Sequence, residues 1–261
     1  MHQQYLPPYI GVTGFMTREE VDQAITAFHQ TKRPDDRHLM IGILASSKTL
    51  KGEQNKWGNR FPRVQDISRL VRDRPFMTTL VHYSTDEPET LSEQLQRLQE
   101  FGGPFLDGFQ LNMVWPDPNA IKEALYDHEH RRPASRIVLQ IGSRAFKACA
   151  EDHHVLAARI DAYAEIVTDV LFDLSGGHGR PLDIEKSLDV LFTIRLRHPH
   201  LGLGVAGGLC ADTLPSIERI VAEFPHVSID AEGRLRDHPD ARLNLETVER
   251  YIVLAQEKFY A

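Results

Sequence analysis

The chain has 261 residues, enough to bury a sizeable core as one large domain or two small ones without disulfides. Its 30 Lys and Arg against 37 Asp and Glu give a net charge of −7, which argues against a nucleic-acid partner, and 41% hydrophobic with 26% charged residues is a globular rather than a disordered balance. Cys149 and Cys210, the only cysteines, cannot build a secreted disulfide framework; with no apolar leader and no run near the ~20 residues of a membrane span, a cytoplasmic protein with no membrane partner is expected.

In chain order, eight short apolar segments read as strands: 9–13, 39–44, 76–81, 108–112, 137–141, 170–173, 201–205 and 227–230. Most lack strict alternation, as strands covered on both faces of a parallel sheet do. Stretches of helical period separate them. Thr17 followed by Glu20 resembles a capping box for the first helix. The segment 46–63, with Lys48, Lys51, Lys56 and Arg60, reads as a long loop after the second strand. Leu156, Ile160, Tyr163 and Val167 form one apolar stripe before the sixth strand, and Leu214, Ile217, Ile220 and Phe224 form another before the eighth. Leu245, Val248, Ile252, Ala255 and Phe259 give the last helix its buried face, with Asn244 as its cap. Eight strand–helix units predict a single (β/α)8 TIM barrel over residues 1–261, an architecture of typically ~250 residues, in preference to a doubly wound open sheet.

In such barrels the chemistry gathers at the C-terminal strand ends. Val205-Ala206-Gly207-Gly208-Leu209 leaves strand seven, and Ile229-Asp230-Ala231-Glu232-Gly233 leaves strand eight. Glycines there let backbone N–H groups approach a phosphate, so Gly207, Gly208, Glu232 and Gly233 are candidate phosphate-binding positions; a plain tight turn is the alternative. After strand six, Asp173 precedes Gly176, Gly177 and His178, a turn suited to a lid or an anion, in which Asp173 could equally be a loop-ordering carboxylate.

Taken in order, these pieces resemble the phosphoribosylanthranilate isomerase family of tryptophan biosynthesis. Val12-Thr13-Gly14 through Thr17-Arg18-Glu19-Glu20 resembles its first strand and helix start, and Leu106-Asp107-Gly108-Phe109-Gln110-Leu111 its fourth strand. Leu171-Phe172-Asp173 with Gly176-Gly177-His178-Gly179 and Asp183 resembles its strand-six signature, and Ala206-Gly207-Gly208-Leu209 with Ile229-Asp230, Gly233 and Arg236-Asp237 its last two strand ends. The resemblance implies an Amadori rearrangement of a phosphoribosyl amine, without a cofactor, by one acid and one base. It assigns the acid to Asp173, phosphate to the backbones around Gly207, Gly208 and Gly233, beside the candidate anion turn of Gly176 and Gly177, and a substrate carboxylate to Arg63, which is otherwise a surface arginine. Gln110 and Asp230 match further positions of the site. The family's base is a cysteine where this chain has Thr13, and the expected Gln-Leu-His-Gly is Gln110-Leu111-Asn112-Met113. His82 and His178 are the stand-ins.

Another isomerase or lyase on a related phosphosugar, or a silent phosphosugar-binding barrel, are the alternatives; either would be a monomer or homodimer with a phosphorylated small molecule as its partner. The 13 histidines show no convergent ligand spacing, so no metal site is predicted. Trp57 and Trp115 could stack on an aromatic substrate or simply pack the rim.

Overall fold

The computed structural model describes residues 6–31, 36–125, 136–175, 181–238 and 240–259. Eight parallel strands close a barrel in chain order: β1 (Tyr9–Thr13), β2 (His38–Ser46), β3 (Met77–Ser84), β4 (Gly108–Leu111), β5 (Arg136–Gly142), β6 (Asp169–Asp173), β7 (Gly202–Ala206) and β8 (Ser228–Ala231). β8 closes on β1, with Ile229 beside Ile10 and Asp230 beside Gly11. The helices around it are α1 (Arg18–Gln30), α2 (Ser47–Lys51), α3 (Ile67–Leu70), α4 (Leu91–Gly102), α5 (Pro118–Leu125), α6 (Ser143–Lys147), α7 (His153–Ile160), α8 (Ile184–Arg197), α9 (Glu218–Glu223) and α10 (Leu245–Phe259). This is the single (β/α)8 barrel that the strand spacing predicts. Among the described residues, no helix is long and apolar enough to cross a membrane.

The unalternating strand sequences have a direct cause: both faces are buried. Ile10, Val12, Ile41, Ile43, Phe109 and Phe172 pack in one cluster with helix residues such as Val21, Leu95, Leu191 and Ile252. Tyr9, Met40, Leu80, Val138, Leu171 and Ala206 form a separate cluster in the barrel interior. Because side chains alternate along a strand, the interior is graded from end to end. On β5 it reads Arg136, Val138, Gln140, and on β6 Asp169, Leu171, Asp173. Below the apolar belt Arg136 donates to both oxygens of Asp169, at 2.9 and 2.7 Å. Above it the same two strands present polar groups to the mouth.

Local signals hold at the helix starts. Glu20 N–H donates to Thr17 Oγ1 at 3.3 Å while Glu20 Oε2 accepts from Thr17 N–H at 3.1 Å, closing the box. Thr247 N–H donates to Asn244 Oδ1 at 3.0 Å. Three expectations change. Segment 46–63 is not all loop: Ser46 caps α2, and Gly58–Arg60 forms a 3₁₀ turn. α7 stops at Ile160; Tyr163 and Val167 are still buried, but from a run of turns. The stripe from Leu214 to Phe224 divides into a 3₁₀ helix, Ala211–Ile217, and α9, because Pro215 has no N–H for an α-helical bond.

Candidate active site

The C-terminal strand ends surround a cleft of about 650 Å³. Its wall includes Leu44, Trp57, Arg60, His82, Asn112, Gln140, Asp173, Glu232, Gly233 and Arg236. Beneath it a small recess brings together Asp173, Ser175, Ala206, Gly207, Gly208, Asp230 and Gly233. The glycine turns after β7 and β8 and the two strand-end carboxylates therefore share one space. Gly207 and Gly208 have φ of 133° and 58°, backbone that side chains with a Cβ adopt only with strain.

Five strands, β1, β4, β5, β6 and β8, supply a continuous polar chain across the barrel. Gln140 Nε2 donates to Asp173 Oδ2 at 2.9 Å. Gln110 Nε2 lies 3.2 Å from Gln140 Oε1 and 3.2 Å from Asp230 Oδ2. The Thr13 hydroxyl donates to Asp230, 3.0 and 3.1 Å from its two oxygens. Asp173 Oδ1 accepts from Ser175 N–H at 2.8 Å and from Ser175 Oγ at 2.6 Å. All of these side chains are buried.

Burial separates their protonation behaviour. Removal from water lifts the Asp230 carboxyl to about 7; the negative charges of Glu232 and Asp173 add to the lift, and the bonds from Gln110 and Thr13 oppose it. Burial pushes the His82 imidazole down to about 4, so His82 is neutral at pH 7. Its Nδ1 lies 3.4 Å from Gln110 Nε2, and its Nε2 has no hydrogen-bond partner among the described residues.

Glu232 enters the wall through its side chain. Arg60 Nη1 donates to its Oε1 at 2.8 Å, and Arg236 Nη2 stands 3.6 Å from the same oxygen. Arg236 also donates to the Thr13 carbonyl at 3.3 Å. Its Nη2 end comes close to Gly14 (φ 106°), where a Cβ would lie within 1.8 Å of it.

The structure does not bring Arg63 to the mouth. Its side chain is 71% exposed and pairs with Asp66 at 2.7 Å, three residues along a short helical turn. Arg60, three positions earlier, faces inward instead. Thr13, His82, Gln110, Asp173, Asp230, Gly207, Gly208, Glu232 and Gly233 do converge. Gly176, Gly177 and His178 lie outside the described residues. Gln140 and Ser175, which the sequence does not single out, join the site, as does Arg60 from the basic segment 46–63. Gln140 did carry a signal, as the single polar residue inside the apolar run Ile137-Val138-Leu139-Gln140-Ile141. Trp57 stands in the cleft wall, with Arg60 5.1 Å from its ring. Trp115 is a packing residue: it donates to the Ala145 carbonyl at 3.0 Å and leans on Tyr163. His198 and His200 bind the carbonyls of Ala157 and Ala164, each at 3.0 Å, so both are packing residues away from the cleft.

No protein-family profile and no curated protein sequence matches the chain. Among solved structures, the phosphoribosyl anthranilate isomerase from Thermococcus kodakaraensis superposes on it with a TM-score of 0.58. Identity is 14%, over 95% of this chain and 98% of that one. That likeness is one of fold: the chain is a TIM barrel of the same overall form as this isomerase.

Proposed function

We propose that the chain is an isomerase of the phosphoribosylanthranilate isomerase type, acting on a phosphoribosyl amine or a closely related phosphosugar. One observation carries the reading. Two buried carboxylates, Asp173 and Asp230, stand in one recess with the glycine turns after β7 and β8 and are joined by the amides of Gln110 and Gln140. The turns at Gly207, Gly208 and Gly233 hold the phosphate through backbone N–H groups. The sugar then lies over the carboxylates, with His82 and Gln110 against its hydroxyls. Asp173 gives a proton to the ring oxygen; the C1–O bond breaks, and the nitrogen lone pair closes a C1=N bond. Loss of the C2 proton turns the iminium into an enolamine, which becomes the ketose when the O2 proton leaves and C1 takes one up. The sum is an isomerisation that consumes no oxidant or reductant. The long wall from Trp57 to Phe61 and the Arg60–Glu232 pair surround the substituent on nitrogen.

The test is turnover of N-(5-phosphoribosyl)anthranilate by purified protein, run beside thermal unfolding with inorganic phosphate. Turnover that falls by about 10²–10⁴-fold in Asp173→Asn supports the enzyme. Phosphate stabilisation with no turnover would make the chain a phosphosugar-binding barrel. The absence of both turnover and phosphate stabilisation would overturn the phosphate site and the reaction together.

A further inference from the structure

The reaction just described leaves the C2 proton without an acceptor. The Thr13 hydroxyl is a weak base at neutral pH. His82 is neutral and, with its affinity for a proton lowered by burial, feebly basic. Asp173 is committed to ring opening, and its oxygens are held by Ser175 and Gln140.

Asp230 stands differently. It projects from β8 into the same recess, linked to Asp173 through the two amides. Its two oxygens are 3.0 and 3.1 Å from the Thr13 hydroxyl, so the β1 strand end fixes the plane of the carboxylate. Gly11 and Gly42 leave the space for this arrangement. A Cβ on Gly11 would lie 2.9 Å from Asp230 Oδ1, and one on Gly42 would lie 2.2 Å from Thr13 Oγ1.

We infer that Asp230, positioned by Thr13 and Gln110, is the base that removes the C2 proton. The assignment rests on the isomerase reading. A carboxylate oxygen takes the proton, the C–H electron pair becomes the C1–C2 double bond, and the C1=N pair returns to nitrogen. The iminium charge is discharged as Asp230 becomes a neutral acid, which then supplies the proton that C1 takes up while O2 releases its own. Electrons and protons balance without a further reagent.

The surroundings suit a group that must both take and give a proton. Asp173 from β6 and Glu232 beyond β8 are the carboxyl groups that face Asp230, and Tyr9 from β1 and Tyr251 from α10 face it as phenols that burial keeps neutral. His82, across Gln110, adds no charge at pH 7. The Asp230 carboxyl accordingly titrates near 7, where a carboxylate is a far stronger base than an ordinary one.

Wild type, Asp230→Asn and Thr13→Val are compared on N-(5-phosphoribosyl)anthranilate across the neutral pH range, with stabilisation by inorganic phosphate read on each. Wild-type kcat/KM falls on the acid side with a midpoint near pH 7. Asp230→Asn loses about 10²–10⁴-fold in kcat and keeps the stabilisation by phosphate. Thr13→Val stays active, and its acid limb moves to higher pH because the hydroxyl bond held the Asp230 carboxyl down. An Asp230→Asn protein within a few-fold of wild type, or an acid limb that does not move in Thr13→Val, removes the base assignment and leaves the isomerase standing. A wild type that turns nothing over removes the isomerase reading, and the base role goes with it.

Discussion

The Thr13 hydroxyl donates to the Asp230 carboxylate, 3.0 and 3.1 Å from its two oxygens, and so joins the first strand of the barrel to the last at the level of the cleft. The pair is 217 residues apart in the chain and adjacent because β8 closes on β1. Neither side chain is conspicuous in its own segment. Together they place a buried carboxylate in reach of the glycine turns.

That burial has a cost that depends on pH. The Asp230 carboxyl rises from an ordinary 3.8 to about 7 in the fold. Between about pH 4 and about pH 7 the folded protein keeps a proton that the unfolded chain releases, so this group's contribution falls as pH rises through that window. The loss is on the order of 4 kcal/mol once the group is ionised. Asp230→Asn should therefore raise the unfolding temperature more at pH 8 than at pH 5. Equal shifts at the two pH values would show that the carboxyl titrates in its ordinary range.

Arg60 and Arg63 make a paired prediction. Arg60 is 9% exposed and holds Glu232, itself 16% exposed, at 2.8 Å. Arg60→Met leaves that carboxylate with Arg236 as its one charged partner among the described residues and should cost about 3 kcal/mol of stability. Arg63→Ala removes an exposed contact to Asp66 and should cost no more than ~0.5 kcal/mol. Urea unfolding of both variants checks the contrast, and a reversed order would place the wrong arginine in the wall.

Gly42 is the neighbour that makes room for Thr13. An added methyl would sit 2.2 Å from its Oγ1 and 2.9 Å from its Cα, the second being backbone that cannot swing away. Gly42→Ala should cost about 1–3 kcal/mol through overpacking. The double variant Gly42→Ala with Thr13→Gly should recover part of that loss in the same thermal scan. No recovery would mean that the strain lies elsewhere on β2.

The opposite end of the barrel should affect stability without touching turnover. Asp169 is 3% exposed and receives both nitrogens of the Arg136 fork. Asp169→Ala strands a buried guanidinium and should cost about 3–5 kcal/mol. Activity per folded molecule should stay at the wild-type value, because the pair lies below the apolar belt. A kcat that drops with the fold intact would couple the two ends.

The barrel was largely legible in the sequence. Strands buried on both faces leave apolar runs, and amphipathic helices leave stripes at helical spacing; both are local consequences of burial. Caps at Thr17 and Asn244 were legible for the same reason, since the donor and acceptor are a few residues apart. Pro215 was visible, but the apolar spacing across it concealed the change from 3₁₀ to α-helix. The site was legible only in part. Asp173, Asp230 and the glycine turns stand at strand ends, so strand position alone put them at the mouth. A residue type in a loop carries no direction, so the sequence that offers Arg63 does not say where its guanidinium points; the 3₁₀ turn at Gly58–Arg60 turns Arg60 inward instead. Gln140 and Ser175 have no meaning until their hydrogen-bond partners are known.

By itself the sequence determined the number, order and type of the elements, and with them which residues stand at strand ends, because hydrophobic period and turn chemistry act over a few residues. Only the closed barrel decided that Thr13, Gln110, Gln140, Asp173 and Asp230 form one polar chain. Closure brings strands more than 200 residues apart to hydrogen-bonding distance and strips water from a carboxyl that would be unremarkable in solution. The proton affinity of Asp230, on which the proposed chemistry turns, belongs to that tertiary environment and to no segment of the chain.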